Sequence, residues 1–91
     1  MRYLKSFHVS LQNAVDFYAH ENRSVARRFI AAIEDAERKI ARFPRIGRVM
    51  GEFRGLHLQE FPYRYCYKED VDGDLVAVVL FHYKQRRPIL T

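Results

Sequence analysis

The chain has a single cysteine, no tryptophan, three prolines and four glycines in 91 residues. One cysteine, Cys66, excludes an intramolecular disulfide and any thiolate-rich zinc site, so the sequence reads as a protein of the reducing cytoplasm. Long apolar runs are missing as well. The longest, Leu75 to Phe81, is seven residues and falls short of the ~30 Å of a hydrocarbon core. Met1 to Ser6 has no apolar stretch of signal-peptide length, so neither membrane contact nor export is expected. No glycine- or serine-rich linker and no repeat divides the chain. One domain over residues 1–91 is expected, with a small core because a chain this short buries only about 60% of its unfolded surface.

Several kinds of chemistry lack their residues. No glycine-rich phosphate loop is present, and no Ser/His/Asp order suggests a hydrolase. Asp70, Asp72 and Asp74 resemble the start of a calcium loop, but the glycine required at its sixth position is Leu75 and the glutamate at its twelfth is Phe81. His57, His82 and Cys66 have no ligand spacing on any one element. Neither metal nor cofactor is expected.

What the chain does have is positive charge. Sixteen Lys and Arg against eleven Asp and Glu leave +5. Acidic residues end at Asp74, and the segment beyond it carries Lys84, Arg86 and Arg87 with Tyr83 and His82 interleaved. Arg64, and Arg54 before it, are expected to converge with these charges at one end of a sheet. Such a surface suits an anionic or acidic partner. A second basic stretch, Lys39, Arg42, Arg45 and Arg48, falls at a helix end, where cations complement the macrodipole.

Periodicity supplies the architecture. Met1 to Phe7 reads as a strand, and Ser10 as the N-cap of a first helix with Leu11, Ala14, Val15, Phe17 and Tyr18 on its apolar face, ending near Asn22. Ala26, Phe29, Ile30, Ile33, Ala36, Ile40 and Phe43 then form one stripe of a second helix, capped by Asn22 or Ser24 and stopped by Pro44. Arg45 to Gly55 reads as loop. Leu56 and Leu58 alternate with His57 and Gln59; a strand from Arg64 to Lys68 puts Tyr65 and Tyr67 on one face; an Asp72-Gly73 turn leads into a last strand from Leu75 to Phe81. The fold class is α+β, in the order β-α-α-β-β-β, with an antiparallel helical hairpin packed on an antiparallel meander.

Five blocks of the chain also carry a family resemblance. Asp16-Phe17-Tyr18-Ala19, Arg27-Arg28-Phe29-Ile30-Ala31-Ala32-Ile33, Ile40-Ala41-Arg42-Phe43-Pro44, Phe61-Pro62-Tyr63-Arg64-Tyr65-Cys66-Tyr67 and His82-Tyr83-Lys84-Gln85-Arg86-Arg87-Pro88 together resemble the RelE/ParE superfamily of toxins, or plasmid-stabilisation proteins, and its ParE branch most. The resemblance implies a toxin neutralised by a cognate antitoxin in a hetero-oligomer. A ParE-like member poisons DNA gyrase and leaves it on cleaved DNA, an activity that needs a binding surface: here Arg64, His82, Tyr83, Lys84, Arg86 and Arg87. A RelE-like member instead cleaves messenger RNA on the ribosome. Arg64 and Arg86 match its catalytic arginines, whereas the strand that should carry lysines reads Leu56-His57-Leu58-Gln59. His57, His82 and Tyr83 are the groups that could move a proton in that case. A third implied possibility is a non-toxic member that only pairs with an antitoxin.

Overall fold

The computed structural model describes residues 1–84. It comprises β1 (Arg2–Tyr3), α1 (Lys5–Glu21), α2 (Arg23–Arg42), β2 (Arg48–Met50), β3 (Phe53–His57), β4 (Tyr63–Glu69) and β5 (Leu75–His82). The five strands form one sheet in the order β1-β5-β4-β3-β2, with β2 to β5 an antiparallel meander. β1 pairs parallel to β5, through Arg2↔Val76 and Tyr3↔Ala77, so the sheet is mixed rather than wholly antiparallel.

The helical stripe begins one turn earlier than the periodicity suggested. Tyr3, Lys5 and Phe7 alternate like a strand, yet Phe7, Leu11 and Ala14 also share a helical face, and the helix takes Phe7 into the core at 1% exposure. Strand pairing therefore stops at Tyr3. The Leu4 amide still donates to the Ala77 carbonyl at 3.0 Å, and serine hydroxyls serve the β5 edge beyond it. Ser6 Oγ donates to the Val78 carbonyl at 2.6 Å, and Ser10 Oγ accepts from the Leu80 amide at 2.9 Å while donating to the Phe7 carbonyl. Ser10 is thus not an N-cap. It lies inside α1 and satisfies a backbone group that a neighbouring strand would otherwise have met.

α2 follows the expected pattern. Asn22 Oδ1 accepts from the Ser24 amide at 2.8 Å, capping the helix, and Ala26, Phe29, Ile33, Ala36 and Ile40 are buried along one side. The helix ends at Arg42, and Phe43 and Pro44 lead the chain away. Behind this stripe Phe29 meets Tyr18, Phe61 and Tyr63 at ring-centroid distances of 5.0, 5.1 and 5.3 Å. These rings with Phe7, Tyr65, Tyr67 and Leu80 make the core between helices and sheet.

Residues 45–55 are not all loop. Gly51, at φ 66°, turns β2 into β3, which starts at Phe53 and ends at His57. Leu58 is buried but already outside the strand, and Glu60 takes a φ of 71° in the connection to β4. A register shift between Cys66 and Tyr67 leaves Val78 as an extra residue on β5, since Cys66 pairs with Val79 and Tyr67 with Ala77. In the last hairpin only Gly73 takes positive φ, at 87°. Asp70 supports that turn instead of Asp72, its Oδ1 accepting from the amides of Asp72 and Asp74.

The segment between α2 and β2 is fastened to the sheet by one buried tyrosine. Tyr67 Oη donates to the Pro44 carbonyl at 2.8 Å and accepts from the Gly47 amide at 2.9 Å. A Cβ at position 47 would stand 2.8 Å from this ring, so the loop approaches that closely only because residue 47 is glycine. Tyr67→Phe strips both bonds from a buried site and should cost about 1–3 kcal/mol. Urea unfolding checks this; an unchanged midpoint would show that the hydroxyl is not what holds the loop.

Candidate functional site

The start of β4 lies between the end of β3 and the end of β5. His57 is the cross-strand neighbour of Arg64, and Arg64 of Phe81, so the three side chains share the face of the sheet turned away from the helices. Tyr83, two residues beyond Phe81, returns to that face. Its amide donates to the Pro62 carbonyl at 3.1 Å, which keeps the chain against the β3–β4 connection after β5 has ended. The Arg64 guanidinium carbon lies 4.9 Å from the centre of the Tyr83 ring, and the His57 imidazole stacks on that ring at 4.9 Å and 19°. Gly55 makes room beneath, because a Cβ there would collide with Met50 Sδ and stand 3.3 Å from Arg64 Cδ.

Guanidinium, phenol and imidazole thus form one packed group at the sheet's end, with exposed Lys84 following directly. Ion pairs among the described residues join Arg2 to Asp70, Arg28 to Glu60, and both Arg38 and Lys39 to Asp35; none engages Arg64 or Lys84. A cation held over an aromatic face keeps its charge and loses freedom of movement, which lowers the entropy cost of binding an anionic or acidic group.

The remaining expected site residues are distributed differently. His82 points to the helix side, where its ring meets Tyr63 edge-on at 4.8 Å. There it lines a groove of about 430 Å³ with Ser10, Asn13, Phe17 and Leu80, and its Nδ1 accepts from the Lys84 amide at 3.3 Å. Arg86 and Arg87 lie outside the described residues. Arg54 does not join the cluster: it sits toward the other end of β3, across from Tyr67, and its Nη1 donates to the carbonyls of Gly47 and Arg45. Its charge is committed to fastening the loop. His57, by contrast, is a full member of the cluster. The alternation of Leu56 and Leu58 about it was the available signal, as it places residue 57 opposite the partly buried Leu56 and the buried Leu58.

Two nearby groups are structural. Cys66 is buried, and burial pushes its thiol up to about 11 although the Arg64 charge pulls the other way, so little thiolate forms at neutral pH. Tyr65 is a core residue whose hydroxyl donates to Glu37 Oε2 at 2.6 Å; burial and then that carboxylate raise its pKa. Tyr3 Oη donates to the same oxygen at 3.0 Å. Glu37 also lines a second groove, about 360 Å³, between α1 and α2, together with Phe7, Leu11, Val15, Ile30 and Ile33. Among the described residues no three His, Cys, Asp or Glu side chains gather as metal ligands. No described helix is long and apolar enough to cross a membrane.

Comparison with known proteins follows the same outline. No individually curated protein matches the sequence. A solved structure described as the chromosomal ParDE TA system from P. aeruginosa superposes with a TM-score of 0.73 over 89% of this chain and 91% of that one, at 12% identity, a likeness of fold. The family model for the ParE toxin of the type II toxin–antitoxin system parDE matches residues 1–87, from before β1 into the basic segment after β5. The chain belongs to the ParE toxin family of type II toxin–antitoxin systems.

Proposed function

We propose that this toxin arrests growth by holding DNA gyrase on cleaved DNA, and that a cognate antitoxin neutralises it. The observation that carries the reading is the packed Arg64–Tyr83–His57 group, a cationic and aromatic surface in which, among the described residues, Arg64 has no ion-pair partner. Arg64, Tyr83, His57 and Lys84 form its described part, Arg86 and Arg87 follow in the sequence, and His82 flanks it from the other side of the sheet. Poisoning an enzyme requires only that such a surface bind one state of the target more tightly than the others.

The apolar groove between α1 and α2 suits the antitoxin. Exposed Ile30 and partly buried Leu11 and Val15 stand along it, and Glu34 and Glu37 also line it. An amphipathic segment that folds onto these residues would remove apolar surface from water and stabilise the toxin by mass action.

One observation favours a second reading, ribosome-dependent cleavage of messenger RNA. His57 places an imidazole beside Arg64, and such a pair could take a 2′-hydroxyl proton and neutralise developing phosphate charge. Purified components decide between the two. The gyrase reading expects loss of supercoiling and accumulation of cleaved DNA when the toxin is added to gyrase and plasmid. Absence of both at a dose that arrests growth, together with cleaved message in programmed ribosomes, would transfer the function to the ribosome. No growth defect on induction would leave a non-toxic antitoxin-binding protein.

A further inference from the structure

At the end of the sheet remote from Arg64, the chain between α2 and β3 presents apolar side chains to solvent. Phe43 is 56% exposed, Ile46 42% and Val49 63%. These residues are held firmly: Tyr67 bonds Pro44 and Gly47, and Arg54 bonds the carbonyls of Gly47 and Arg45. Large apolar groups fixed in water on a rigid loop mark an interaction surface more than a loose connection. Arg42, Arg45 and Arg48 alternate with them, and no acidic residue occurs between Glu37 and Glu52. The Arg42 guanidinium lies 5.6 Å from the Phe43 ring centre, and among the described residues neither Arg45 nor Arg48 has an acidic partner. The helix macrodipole accounts for Lys39 and Arg42 in the last turn of α2, but not for Arg45 and Arg48 beyond it.

The same place is a sheet edge. Among the described residues β2 is the terminal strand, and no described strand pairs with the backbone groups on its outer side. Its two faces differ. Val49 is the cross-strand neighbour of Arg54 and, through it, of Tyr67, on the side where the 43–47 loop is folded. Arg48 neighbours Gly55 and Cys66 on the opposite side. A strand laid along β2 would therefore meet Val49 on one face, where Glu52 and Glu69 line the same hollow, and Arg48 on the other.

We propose that the β2 edge with Phe43, Ile46 and Val49 is a docking site for an extended protein segment in which apolar and acidic residues alternate. Charge and backbone together select this occupant. Duplex or single-stranded nucleic acid would satisfy the arginines but leave three apolar side chains in water. A lipid surface would accept both kinds of side chain yet leave the open strand edge unpaired in an apolar medium. A second copy of this chain would bring arginines against arginines. Arg48 shares the face of the sheet that carries Arg64, with Gly55 between them, whereas Val49 and the 43–47 loop lie on the other face, so the apolar half of the site is separate from the Arg64 group.

The test uses the full-length protein and a labelled, capped decapeptide of alternating glutamate and valine, read by fluorescence anisotropy at low salt. Saturable binding is expected, weakened about tenfold or more by Arg48→Glu and by Val49→Asp, as for a lost charge pair or a buried apolar contact. Arg27→Glu, an exposed position on α2, makes the same change in net charge and should leave binding within about twofold. Val49→Ser serves if the aspartate variant does not fold. An alternating lysine–valine peptide should not bind. The proposal is overturned by no saturable binding of the acidic peptide, or by equal weakening in Arg27→Glu. It is also overturned if a DNA duplex or phosphatidylserine vesicles bind more tightly than the peptide and lose that binding in Arg48→Glu.

Discussion

Arg64→Glu should reduce target poisoning by roughly 30- to 1000-fold, the effect of about 2–4 kcal/mol lost where a buried interfacial charge is reversed. The loss has two sources. The target's acidic or phosphate group loses its cation, and the Tyr83 ring loses the guanidinium 4.9 Å from its centre. Arg64 sits where β4 begins, half-buried, with its stem lying over Gly55, so its charge is presented in one place rather than sampled. Arg64→Lys should recover only part of the activity, because a point charge replaces a planar group that can bond and stack at once. Tyr83→Leu separates the two sources: it leaves the charge and removes the ring that holds it. Dose–response of gyrase inhibition, with thermal unfolding of each variant alongside, gives the measurement. Full activity in folded Arg64→Glu would remove the sheet end from the mechanism.

Phe29→Ala should be the most damaging change to the fold, at about 3–5 kcal/mol. Phe29 is fully buried and meets Tyr18, Phe61 and Tyr63, so one truncation empties the space shared by α1, α2 and the approach to β4. Rings already packed against one another cannot collapse into that space without losing their own contacts. Small domains have about 5–15 kcal/mol of stability in total, so this loss takes a large fraction of it and should raise the unfolded population by roughly 100- to 1000-fold or more. Phe29→Leu keeps most of the volume and should cost well under half as much. Urea unfolding of the two variants checks the ratio; a loss below about 1 kcal/mol for alanine would mean that the ring cluster does not carry the core. Because Tyr63 directly precedes Arg64, this cluster also sets where β4 starts, and Phe29→Ala should weaken toxicity through stability alone.

The helical hairpin was legible in the chain because helix formation is local. Apolar residues from Ala26 to Ile40 repeat at three and four, Asn22 caps, and Pro44 stops the continuation. The aromatic strand β4 and the strand from Leu75 were legible for a similar reason, since alternation and β-branched content survive without knowledge of neighbours. The boundary between β1 and α1 was not. Tyr3, Lys5 and Phe7 suit either period, and the choice turned on whether the β5 edge could be served by Ser6 and Ser10. β2 was equally hidden: three residues acquire strand form only by pairing with β3 across the Gly51 turn.

For the candidate site, the acid-free run after Asp74 pointed to His82, Tyr83, Lys84, Arg86 and Arg87, and the family resemblance with the expected strand pairing to Arg64. Neither could sort them by face. Residues 82 and 83 point to opposite sides of the sheet, which sends His82 to Tyr63 and the helices while Tyr83 turns to Arg64. His57 enters the group only through the β3–β4 register, and Arg54 leaves it only because two loop carbonyls need its donors.

The amino-acid sequence alone thus determined the α+β class, the hairpin, the likeness to the ParE family and the excess of positive charge beyond Asp74. These follow from periodicity, motif order and composition, all of which can be read within a few residues of each position. The tertiary structure decided which of these side chains share a face and which are tied to backbone groups. Sharing a face depends on strand register and on backbone groups far apart in the chain, and those contacts exist only once β3, β4 and β5 lie side by side.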